Sequence, residues 1–175
     1  MKIAYNEKFK KLLKEYNLPK DFSFSVDLPK GVRKILDDQI LITELGITLE
    51  SFNRLSIATH QWENQSIIED NENHFHVDWY IEPVDNKKAF MLGVKTLHLL
   101  AEKFQKKKVN GIRFWYSFQT PEDGKNWAKL NNLNGENDEY FISDRLSFYK
   151  LREGEYIISA NEYENQHCAI LLIDV

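Results

Sequence analysis

Residues 74–78 read His74-Phe75-His76-Val77-Asp78, the spacing in this chain best suited to chemistry. Side chains of a β-strand alternate between its faces, so His74, His76 and Asp78 would emerge together while Phe75, Val77 and Trp79 turn the other way. Imidazoles at i and i+2 stand about 6.6 Å apart at Cα, near enough to share one Zn2+ or Fe2+. His74 and Asp78 are about 13 Å apart on such a strand, at the limit of their combined reach. A metal centre here would therefore use His76 with one neighbour and recruit a third ligand. His60 is the first candidate, through an antiparallel pairing across 63–73, and His167 the second. Such a metal would activate water, as in a metal-dependent hydrolase. The competing expectation is a solvated strand face, because no HExxH or CxxC companion fixes a coordination geometry.

Other reactive types lack partners. Cys168 follows His167 directly, but neighbours on a strand point apart, so the two cannot form a nucleophile–base pair, and the thiol inside CAILL reads as a small buried hydrophobe. No GxSxG elbow occurs. The seven glycines are never closer than eleven residues, which excludes GxGxxG and GxxxxGK phosphate loops. No catalytic residue is assigned. In Arg113-Phe114-Trp115-Tyr116-Ser117-Phe118, alternation buries Phe114, Tyr116 and Phe118 and leaves Trp115 with Arg113 on the other face. One aromatic is a thin platform for single-stranded nucleic acid.

The elements that would position these groups follow from periodicity. Phe9, Leu12, Leu13 and Tyr16 form one face of an N-terminal helix, about 5–16, ended by Leu18-Pro19. Strict alternation predicts a strand over Phe22–Leu28. A short helix around Val32–Asp38 and β segments near 40–45, 47–53 and 55–62 come next. The strand His74–Ile81 precedes a long amphipathic helix, about 87–107, bearing Phe90, Val94, Leu97, Ala101 and Phe104 on one face. Gly93 on that face would let the helix approach a sheet closely. Ile112–Gln119 alternates as a strand, and strand–helix–strand in this order suggests a crossover connection. Thr120-Pro121-Glu122-Asp123 is a helix start, with an N-cap threonine and proline at N1. The last 36 residues read as β-rich (140–142, Leu146–Leu151, Tyr156–Ala160 and His167–Asp174), with Glu153-Gly154 as a hairpin turn. The final HCAILLIDV is apolar on both faces and belongs at the centre of a sheet. The expected fold is α+β, one domain over 1–175, with a mixed but largely antiparallel sheet and the long helix on one face.

At 175 residues, 42% hydrophobic and 29% charged, the chain can bury a core without disulfides or a structural metal. A single cysteine excludes an intramolecular disulfide and fits a reducing compartment. No secretory leader and no bilayer-length apolar run occur, so the expectation is a cytoplasmic protein without membrane contact. The net charge of −4 argues against a nucleic-acid partner. Charge is uneven: residues 1–20 hold six lysines against two acids, whereas 153–175 hold five acids and no Lys or Arg. Residues 63–73 and 134–144 hold four acids each and no base, in stretches expected to be loops. Acidic loops at one rim would attract a basic protein partner. The first functional expectation is therefore a small non-catalytic interaction protein of immunity or inhibitor type, contacting its partner through Glu153, Glu155, Glu162, Glu164, Trp115 and Arg113. Usage rich in Lys, Asn and Ile fits an AT-rich bacterial genome. The alternative is a metal-binding domain or hydrolase centred on His74, His76 and Asp78, with His60 and a Zn or Fe cofactor.

Overall fold

A computed structural model describes residues 1–44, 46–52, 64–82, 85–131 and 143–175. Its elements are β1 (Lys2–Tyr5), α1 (Glu7–Glu15), α2 (Lys30–Asp37), β2 (Ile40–Thr43), β3 (Gly46–Leu49), α3 (Gln65–Glu72), α4 (Asn86–Lys106), β4 (Ile112–Gln119), α5 (Pro121–Leu130), β5 (Ser143–Lys150), α6 (Ile158–Asn161) and β6 (Ala169–Asp174). The four-stranded sheet runs β1-β6-β4-β5 and a separate hairpin pairs β2 with β3, every pairing being antiparallel. This is an α+β single domain.

Alternation divides the sheet into two buried faces. Phe114, Tyr116 and Phe118 of β4, with Leu146 and Phe148 of β5 and Leu171 and Ile173 of β6, meet α1, α2 and α4 in the main core. Phe104 of α4 stands edge-on to Phe114 at 5.0 Å and to Phe148 at 5.2 Å. Each fully buried ring contributes about 2–3 kcal/mol by area alone. Gly93 meets Tyr116, whose ring would lie 2.2 Å from an added Cβ, so the expected close approach of helix to sheet is present. As expected, the apolar C-terminal run is central: β6 lies between β1 and β4. Thr120 and Asp123 close a reciprocal capping box at the start of α5.

The opposite face holds Trp115, Tyr149, Ala160, Ile170 and Leu172. Helix α3 docks beside them with an inverted face, burying Ser66, Glu69 and Asp70 while Ile67 and Ile68 stay half-buried. The Glu69 carboxylate accepts from the Ile47 amide (2.9 Å) and the Lys150 amide (2.7 Å), and the Asn73 amide donates to the carbonyls of Ile47 (2.7 Å) and Phe148 (3.2 Å). Side chains of α3 and its C-cap thus tie β3 to the outer edge of β5, as an intervening strand would.

Several expectations need correction. Residues 63–73 are not an acidic loop where described: 65–72 are helical, and Glu69 and Asp70 are buried against Arg152 (2.6 Å) and Arg145 (2.8 Å). Phe22–Leu28 alternates in burial but has no sheet partner among the described residues; its period records one-sided docking rather than pairing. His74–Ile81 is not a strand. After a single bridge from Phe75 to Leu146 the chain turns into a 3-10 helix at Asp78–Tyr80. The crossover expectation fails with it, since β4 has antiparallel neighbours on both sides. Tyr156–Ala160 does not return as a strand either. Gly154 takes φ +77°, the chain leaves the sheet, and α6 sets Ala160 in the second core. Strand β1 lies just ahead of the expected first helix, where the sequence reading places no element. The segments read at 55–62 and 140–142 lie outside the described residues.

Candidate functional site

The turn after Phe75 is anchored by three apolar residues: Phe75, Val77 and Ile81 are buried in the main core. Tyr80 lies against Gly31 of α2, where an added Cβ would come within 2.3 Å of its ring. Trp79, expected underneath with Phe75 and Val77, is instead 71% exposed. Its ring stacks on His76 at 4.5 Å and 25°.

The group completing the site is Asp144. It pairs with Phe118 at the start of β5, in line with the inward-facing Leu146 and Phe148. A carboxylate therefore occupies a core-facing register position, with its side chain fully buried. One oxygen accepts the Val77 amide at 3.0 Å, and that contact, in place of a strand partner, helps turn the chain toward Asp78. Among the described residues the other oxygen, Oδ2, has no hydrogen-bond partner, and neither does Oδ1 of Asp78. His76 Nδ1 lies 3.7 Å from Asp144 Oδ1, with 23% of its side chain exposed. Donor atoms of His76, Asp78 and Asp144 all fall within 4.8 Å of one another.

Electrostatics follow from this crowding. Burial, then the neighbouring Asp78 charge, pushes the Asp144 carboxyl up to about 8. Burial lowers His76, outweighing the opposing pull of Asp144 and Asp78. Near neutral pH the cluster holds a proton where a carboxylate pair would repel, and a divalent cation could take that proton's place.

The structure distributes the other candidates widely. His74 is exposed, 5.8 Å from His76 between ring centroids, and its Nδ1 contacts the Asn71 carbonyl. His60 lies outside the described residues. His167 is exposed in the loop before β6, where its carbonyl accepts from Lys8. Trp115, expected at the surface, is only 5% exposed: its Nε1 donates to Asp70 at 2.5 Å and the Arg145 guanidinium lies 5.4 Å from its ring. Arg113 forms a two-pronged pair with Asp174, both contacts 2.8 Å. Neither is presented as the expected contact surface, because α3 and β6 occupy them. Glu155 accepts from the Ser66 amide and hydroxyl, while Glu153, Glu162 and Glu164 are exposed. Cys168 is half-buried and its thiol is pushed up to about 11 by burial. The apolar run that marks β5 in the sequence begins at Leu146 and so stops short of Asp144. Carrying the alternation back two residues places a carboxylate on the apolar face, which is the available signal.

No protein-family model matches this chain, and no curated protein or solved structure matches it. Among the described residues, no helix is long and apolar enough to cross a membrane.

Proposed function

We propose that this protein binds a divalent transition-metal cation through His76, Asp78 and Asp144. The observation that carries the reading is the Asp144 carboxylate, fully buried, with one oxygen unpartnered beside a second carboxylate and an imidazole. A buried charge without a partner costs several kcal/mol, and two neighbouring acids compound the cost; a cation or a proton offsets it. One imidazole nitrogen with two carboxylate oxygens suits Zn2+, Fe2+ or Mn2+. Ligands around such a cation stand about 3.0–3.5 Å apart, so His76 and Asp78, at the half-exposed rim, would rotate inward toward Asp144. Water would fill the remaining positions.

Calorimetric titration of metal-stripped, tag-free protein with Zn2+ and Mn2+ tests the reading. One saturable site is expected, tighter at pH 8.5 than at pH 6.5 because binding displaces the Asp144 proton. Asp144→Asn keeps the shape, removes the charge and should abolish the site. Equal binding by wild type and variant would contradict the proposal.

The reading as a small interaction protein for a basic partner draws on a different observation, the exposure of Glu153, Glu162 and Glu164. It has lost Trp115 and Arg113 as contacts. Salt-sensitive binding of poly-L-lysine, weakened by Glu162→Lys with Glu164→Lys, is its expected signature; binding indifferent to both changes would end it.

A further inference from the structure

Helices α1, α2 and α4 all rest on the same face of the sheet, contributing Phe9, Val32 and Phe90 among others to one core. Over their residues Lys and Arg number twelve and Asp and Glu four. The three helices thus carry +8 in a chain whose total is −4, so the remaining residues carry −12 between them. Folding separates charge that the overall balance conceals. Lys10, Lys11, Lys14, Lys34, Lys88 and Lys106 are exposed on this layer. Between α2 and α4 runs an open groove of about 710 Å3, where Leu36 and Leu99 lie among Lys103, Lys106 and Lys107, with Asp37 and Glu102 as its acids.

We infer that this helical layer is a docking surface for an acidic protein partner. Three observations favour that occupant over other polyanions. None of the exposed large hydrophobic residues belongs to α1, α2 or α4, so the layer offers nothing to insert into a bilayer. Among these helices' bases, only Arg33 is an arginine, and the helices themselves carry no exposed aromatic, the exposed Tyr80 beside Gly31 being supplied by a neighbouring turn, so the forked and stacking contacts of nucleic-acid recognition are thinly supplied. A groove mixing leucine with lysine instead fits a segment bearing both carboxylates and apolar side chains. The long-range field of the layer would speed encounter and set orientation.

Poly-L-glutamate serves as the probe, with a 20-base-pair RNA duplex and phosphatidylserine vesicles for comparison. Two charge-matched variants separate local from global effects. One carries Lys11→Glu, Lys34→Glu, Lys88→Glu and Lys107→Glu on or beside the layer; the other carries Lys2→Glu, Lys20→Glu, Lys129→Glu and Lys150→Glu elsewhere. The expected result is poly-L-glutamate binding that weakens at least tenfold in the first variant and less than twofold in the second, with both variants melting cooperatively. Equal losses in the two variants, or tighter binding of RNA or vesicles than of poly-L-glutamate, would overturn the proposal. So would low-salt self-association removed by the first variant alone, which would make a second copy of the chain the occupant.

Discussion

Asp144 is the residue on which stability and chemistry meet. Burial, with the neighbouring Asp78 charge, pushes its carboxyl up to about 8 in the metal-free protein, well above the ordinary aspartate value of about 3.9 that holds in the unfolded chain. Between these limits the folded state holds a proton the unfolded state has released, so stability falls as pH rises through this window. Asp144→Asn removes that dependence. Urea midpoints measured in chelator from pH 5 to pH 8 should decline for wild type relative to the variant; parallel curves would contradict the assignment. His76 acts in the opposite sense, since burial lowers it: its contribution is present above the ordinary imidazole range and lost as pH falls through it. Cys168 offers a separate check. With its thiol pushed up to about 11, alkylation by iodoacetamide at pH 8 should be far slower than for a free cysteine and accelerate toward pH 11. Rapid modification at pH 8 would show the thiol is not desolvated.

At the scale of elements, α3 and α4 illustrate opposite ways to hold a helix on a sheet. Helix α4 uses the familiar apolar stripe, and its periodicity made it legible from residues alone. It also depends on Gly93: a methyl group there would meet the Tyr116 ring, so Gly93→Ala should cost about 1–3 kcal/mol in urea unfolding. No loss would mean the helix can lift away freely. Helix α3 docks through Glu69, Asp70, Ser66 and Asn73, residues whose types read as a charged loop. Hydrophobic periodicity cannot reveal a helix whose buried face is polar. Removing the Glu69 carboxylate takes the ion pair from Arg152 and the acceptor from two strand amides, so Glu69→Ala should cost about 3–5 kcal/mol, whereas an exposed acid such as Glu164 should be replaceable at little cost. Equal effects would remove α3's bridging role. The segments at 22–28 and 74–81 teach the complementary lesson, since alternating burial requires only that one side of the chain face a core.

For the whole molecule, the sequence carried the α+β class, the long helix and the central C-terminal strand, because each rests on local periodicity. It placed His76 and Asp78 as candidates on the assumption of a straight strand. The structure brings these two near one another through a turn and adds Asp144 from 66 residues further along, a long-range juxtaposition that no local pattern encodes. The charge layout was equally hidden, since the lysine-rich helices are dispersed in sequence and become one layer only on folding. The central claim is that a cation can sit among His76, Asp78 and Asp144. Metal analysis of tag-free protein, incubated with Zn2+ and passed through gel filtration, addresses it most directly. The account predicts about one equivalent retained by wild type and almost none by Asp144→Asn. Negligible retention by wild type, or equal retention by both proteins, would contradict it.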